Sequence, residues 1–104
     1  MIPLMIDFTG KKVIIFGGGV IGARKARYFA YEADVLVYSR SFHPEFQEIP
    51  VRTEVCNLTG DLEILRNMIH DASLVIAATS DPELNELIES ACAREHIWCN
   101  VAAG

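Results

Sequence analysis

Short apolar blocks punctuate this chain of 104 residues, and between them hydrophobic positions recur at helical spacing. Lys12 to Phe16 (KVIIF), Asp34 to Tyr38 (DVLVY), Arg52 to Cys56, Ser73 to Ala78 (SLVIAA) and Ile97 to Val101 read as strands. Leu4, Ile6 and Phe8 alternate as in a short edge strand that follows Pro3 and leads into an Asp7…Gly10 turn. The first helical segment runs from Gly19 to about Tyr31, with Ile21, Ala26, Phe29, Ala30 and Ala33 available for its buried face. In the loop from Ser39 to Pro50, His43-Pro44 opens a single helical turn. A second helix follows the turn Asn57–Asp61 and reaches about Ile69 on Leu62, Leu65 and Met68. The third is capped by Ser80 or Asp81, takes Pro82 into its first turn and buries Leu84, Leu87, Ile88, Ala91 and Cys92. Strands alternating with helices, without repeat or linker, predict an α/β fold: a Rossmann-like, doubly wound parallel sheet of five strands in the order 3-2-1-4-5. A ligand crevice belongs at the carboxyl ends of strands one and four.

Composition narrows the class. The apolar share of 51% suits a sheet covered on both faces. At 104 residues one domain is expected, spanning the whole chain and read as the N-terminal part of a longer protein. A net charge of −5 argues against a nucleic-acid surface, which needs clustered positive charge. No apolar run approaches the roughly 20 residues needed to cross a bilayer, and the first residues lack the basic and apolar regions of a secretory signal. Three cysteines without framework spacing point to reduced thiols and a cytoplasmic location.

The chemistry starts where the first strand ends. Gly17, Gly18 and Gly19 follow Phe16, and Gly22 completes G-x-G-x-x-G just as the pattern turns helical. Gly17 permits the turn, Gly19 lets bare backbone approach a pyrophosphate, and Gly22 lets the helix lie close on the strand. With Val20 and Ile21 at its start, that helix would aim its first N–H groups and the positive end of its dipole at an anion.

After the second strand, where an acid would bond the ribose of NAD, the chain reads Tyr38-Ser39-Arg40-Ser41. Two readings stay open: Arg40 meets the 2′-phosphate of NADP, or Ser39 and Ser41 bond the ribose of NAD while Arg40 lies in water. Arg24, Lys25 and Arg27 stand on the motif helix as a solvated face or as an attractor for an anionic ligand such as a polycarboxylate. Strand four ends in Ala77-Ala78-Thr79, small enough for a ribose or nicotinamide to lie against the backbone, with Thr79 as a candidate contact. Cys92, His96 and Cys99 have no fourth partner and read as core and helix-end residues rather than metal ligands. His43 is a candidate general base, and Glu83, Glu86 and Glu89 read as the wet face of the third helix.

Taken together, PLMIDFTGKKVIIFGGGVIGARKARYF, DASLVIAATSDPELNELI and the closing CNVAAG resemble the siroheme synthase N-terminal family, over essentially the whole chain. Members of that family are NAD-dependent precorrin-2 dehydrogenases, often also sirohydrochlorin ferrochelatases. The resemblance implies hydride removal from the tetrapyrrole precorrin-2 by NAD (NADP being possible), with Gly17 to Gly22 holding the pyrophosphate. It places Ser39 to Ser41 at the adenosine end and Thr79 toward the nicotinamide, and it implies basic groups around the crevice mouth and a homodimer in the full-length protein. Three departures accompany it. Members commonly continue Asn-Val-x-Asp after the fifth strand, with the aspartate as the proposed acid–base residue, and here Ala103 takes that position, so the catalytic residue is unknown. They also continue into a helical dimerisation region, and the glycine usual before their second strand is replaced by Glu32-Ala33-Asp34.

A rival from another class shares the glycine motif and a DASLVIAAT-like fourth strand: the nucleotide-sensing regulatory domains of potassium-uptake systems, which catalyse nothing. They usually carry an acid after strand two and lack the Arg24-Lys25 signature. A non-catalytic scaffold derived from the dehydrogenase family is the third reading, given Ala103.

Overall fold

The computed structural model describes residues 5–102. Its centre is β1 (Lys12–Phe16), flanked by β2 (Asp34–Ser39) and β4 (Leu74–Ala77), with β3 (Arg52–Val55) and β5 (Trp98–Val101) outermost. All pairings are parallel and the order is β3-β2-β1-β4-β5, as the sequence pattern predicts. The register sets Phe16 between Tyr38 and Ala77.

Val13, Ile14, Ile15 and Phe16 are all fully buried because both faces of β1 are covered. Val13 and Ile15 point to α1 (Val20–Phe29) and pack with Ala23, Ala26, Val35 and Val37. Ile14 and Phe16 point the other way, to Leu65 and Ile69 of α2 (Leu62–Ile69) and Ile88, Ala91 and Cys92 of α3 (Pro82–Arg94). Burying each such side chain contributes about 1.5–3 kcal/mol. Among the described residues, no helix is long and apolar enough to cross a membrane.

Element boundaries follow from local chemistry. Asp61 caps α2 by accepting the N–H groups of Glu63 and Ile64, and Asp81, rather than Ser80, caps α3 through Glu83 and Leu84. His43-Pro44 does open a helical turn, a 3₁₀ helix over Pro44–Glu48. α1 stops at Phe29, short of Tyr31, because the N–H groups of Glu32 and Ala33 both return to the Phe29 carbonyl and steer the chain into β2. Its buried face is Gly22, Ala23 and Ala26; Ile21, Phe29, Ala30 and Ala33 are half-buried, since only small side chains fit where the helix lies on the sheet.

The expected edge strand is absent among residues 5–8; Leu4 lies outside the described residues. The Asp7 carboxylate accepts the Thr9 N–H at 2.9 Å, Lys11 donates to the Phe8 carbonyl at 2.9 Å, and Gly10 takes φ 74°. That turn satisfies the backbone locally, and only Phe8 docks, edge-on against Phe29 with ring centres 5.5 Å apart.

Candidate functional site

A cleft of about 970 Å³ opens at the carboxyl ends of the central strands, a volume within the ordinary range for small-ligand sites. One wall is the turn from β1 to α1. Gly17 there has φ 125°, a conformation that disfavours side chains, and its N–H donates to the Tyr38 carbonyl at 3.0 Å. A Cβ on Gly17 would run into the Ala78 carbonyl, one on Gly18 into the Ser41 carbonyl, and one on Gly22 into the Gly17 carbonyl. Gly19 differs: a Cβ there would meet nothing within 4 Å. Gly17 and Gly22 therefore stand behind the wall as packing, while Gly18, Gly19, Val20 and Ile21 form its surface.

α1 begins bare. Its cap, Gly19, supplies no side-chain hydrogen bond, and the first turn holds no acid. Unfilled N–H donors, the positive end of the dipole and open space over Gly19 make a cradle that fits a pyrophosphate.

The second wall comes from the end of β2. Ser39, Arg40 and Ser41 all reach the cleft, and Arg40 is exposed without an ion-pair partner among the described residues. No carboxylate stands on this side among the described lining residues, so a ribose would meet hydroxyls and a guanidinium.

The third wall is the turn from β4 into α3. Thr79 lines it, but its side chain is engaged: the hydroxyl donates to Asn85 Oδ1 at 2.6 Å. Asn85 is a buried polar residue at 7% exposure, and sequence reasoning gave it no structural role. The signal was present, since Asn85, Ile88 and Cys92 share the core-facing stripe of α3. Asp81, Glu86 and Glu89 also line the cleft, so the last two border the site rather than only the wet face of the helix.

The remaining candidates lie elsewhere. Neither Arg24 nor Lys25 lines the cleft, and Arg27 pairs with Glu45 of the 3₁₀ helix at 2.8 Å. The expected basic mouth is thus not formed by this helix; Arg40 is the one cation among the described lining residues, facing three carboxylates. His43 accepts the Glu45 N–H at Nδ1 and borders a separate hollow with Phe42 and Phe46, which removes it as a general base for the cleft. Cys92 of α3 and Cys99 of β5 are neighbours; the effect of Cys99 and burial push the Cys92 thiol up, while Cys92 draws Cys99 down. His96 is exposed in a left-handed turn (φ 55°) after α3. Ala103 lies outside the described residues.

A family model described as "Putative NAD(P)-binding" matches residues 4–104. A precorrin-2 dehydrogenase of Methanosarcina barkeri is 45% identical over 100 residues, covering 91% of this chain and 44% of that protein. A siroheme synthase of Sodalis glossinidius is 32% identical over 101 residues, covering 96% of this chain and 21% of that protein. The chain thus spans less than half the length of these curated relatives. Among solved structures, the precorrin-2 dehydrogenase SirC superposes with a TM-score of 0.72 at 22% identity, over 86% of this chain and 44% of that one, which establishes the shared fold.

Proposed function

The chain belongs to this NAD(P)-binding family, and from that premise we propose that it is the dinucleotide-binding domain of a precorrin-2 dehydrogenase-like enzyme. The observation that carries the proposal is the open backbone at Gly19, between glycines that admit no side chain and beside a helix start left without a cap. On this reading Gly18, Gly19, Val20 and Ile21 hold the pyrophosphate, with Gly17 and Gly22 shaping the turn behind them. Ser39, Arg40 and Ser41 receive the adenosine end, and Ala78 and Thr79 floor the nicotinamide end. The dinucleotide would supply the hydride acceptor.

The reaction is a two-electron oxidation. Precorrin-2 would give up a hydride and a proton to become sirohydrochlorin, as siroheme biosynthesis requires, the hydride going to the dinucleotide that Gly18, Gly19, Val20 and Ile21 would hold and the proton to solvent or a base. This chain's part is orientation and exclusion: the glycine wall and the β4 turn fix where the dinucleotide lies relative to an approaching substrate. The acidic rim of Asp81, Glu86 and Glu89 does not attract a polycarboxylate. The substrate's carboxylates would therefore be met by the further chain length that the relatives have, or by a second copy in a homodimer. A cytoplasmic setting agrees with the dinucleotide, with the reduced thiols and with the biosynthetic names of the relatives.

The test is anaerobic incubation with precorrin-2 and NAD⁺ or NADP⁺, following reduced nicotinamide and the sirohydrochlorin spectrum. Dinucleotide binding by this chain is expected, with turnover above the protein-free control where the rest of the enzyme is present to meet the substrate's carboxylates. Dinucleotide binding without turnover would leave a cofactor-binding or nucleotide-sensing domain, and no binding would overturn the reading altogether.

A further inference from the structure

Asn85 spends its whole side chain on one neighbour. Its Nδ2 donates to the Thr79 carbonyl at 3.1 Å, and its Oδ1 accepts both the Thr79 N–H at 3.2 Å and the Thr79 hydroxyl at 2.6 Å. Only one orientation of the amide serves, because one end faces a carbonyl and the other faces two donors. The hydroxyl, its single proton given to Asn85, accepts the Asp81 N–H at 3.3 Å. Thr79 is thus held at both backbone polar groups and at its side chain.

Thr79 sits where the two turns of the cleft interlock. The Ala78 carbonyl occupies the space a Cβ on Gly17 would need, and the Thr79 nitrogen would lie 3.1 Å from that same Cβ. The Ala78 N–H donates to the Phe16 carbonyl at 2.8 Å, tying the β4 turn to β1 at the place where the glycine turn departs. The β4 turn is thus anchored to the glycine side at Ala78, and the freedom that Asn85 removes from Thr79 lies beyond that anchor, on the crevice side.

We infer that Asn85 is a positioning residue of the dinucleotide site: through Thr79 it sets the β4 turn in the shape that leaves the nicotinamide half of the crevice open. The inference rests on the dinucleotide reading above and deepens it. Asn85 itself acts at one remove. Without it, the strand-end N–H and carbonyl of Thr79 lose their partners and the turn is free to settle into the crevice. The half that holds ADP, built from the glycine wall and the β2 end, stays as it was.

The experiment measures dissociation constants of NAD⁺ and ADP by calorimetry, with thermal melting alongside, for the chain and for Asn85→Ala, Thr79→Val and Thr79→Ser. Asn85→Ala should weaken NAD⁺ about tenfold while ADP changes less than about twofold. Thr79→Val should weaken NAD⁺ in the same direction by less, and Thr79→Ser, which keeps the hydroxyl, should restore it. Equal losses for both ligands would mark a merely structural role and overturn the inference, as would folded variants that bind NAD⁺ normally. If Asn85→Ala does not fold, the Thr79→Val and Thr79→Ser pair makes the same decision. A parent chain that binds neither ligand overturns the dinucleotide reading and this inference with it, whereas normal binding without a selective loss overturns this inference alone.

Discussion

Two helices start on the same cleft and start differently. α3 is closed by its own sequence: the Asp81 carboxylate accepts two N–H groups, and Glu83 adds negative charge in the first turn. α1 has a glycine cap, no side-chain bond and no acid. Both ends carry the positive pole of a helix dipole and N–H groups that no helical carbonyl meets, one fewer in α3 because Pro82 has none. The difference teaches where an anion is wanted: one end supplies its own, and the other leaves the place to a ligand. Among the described lining residues the walls follow suit, with three carboxylates on the α3 side and only Arg40 charged on the side of α1 and β2.

The comparison breaks most severely at the glycine turn. Gly17→Ala puts a Cβ into the Ala78 carbonyl at a φ of 125°, so urea denaturation should show a loss of about 3 kcal/mol or more and dinucleotide binding should vanish with it. Gly19→Asp makes α1 resemble α3. Its Cβ enters open space at an extended backbone suited to a cap, so the fold should keep or slightly gain stability. Calorimetry should nevertheless show NAD⁺ weakened roughly 30-fold or more, because the new carboxylate stands where the pyrophosphate lies. The converse change, Asp81→Ala, makes α3 as bare as α1 and should cost about 1 kcal/mol in the same denaturation experiment. The smallest effect belongs to the rim. Glu86→Gln with Glu89→Gln should lower the KM for a polycarboxylate substrate about two- to threefold at low salt, and the gain should fade as salt screens it.

These two sides also differed in how far the sequence disclosed them. The glycine wall was legible residue by residue because it works through absent side chains, and a missing side chain is visible in the sequence itself. Strand order and the Asp caps were legible for a similar reason, being set by period and by residues a few positions apart. What stayed hidden depends on partners far apart in sequence or on competing local bonds. Arg27 reads as an anion attractor until Glu45, on the 3₁₀ helix, takes it, and Arg66 is likewise claimed by Glu95 at 2.8 Å. The alternation at Leu4, Ile6 and Phe8 promised a strand, but Asp7 bonding to Thr9 won locally. Asn85 passed as one polar position among many on an amphipathic helix, although it shares the stripe of Ile88 and Cys92, and its 7% exposure marks it as a buried amide.

The pairing of β1 with β4 has a consequence for how the protein comes into being. Val13 lies against Leu74, so the wall that emerges first from a ribosome waits for the wall that emerges among the last elements. Closing so long a loop is slow compared with forming either helix. Until it closes, the glycine turn lacks the Ala78 carbonyl that shapes it, and the nascent chain carries a recognisable motif without a working grip. Cofactor capture is therefore a late event in the life of each molecule, and a dinucleotide in solution would act on the finished fold, holding it shut rather than guiding it there.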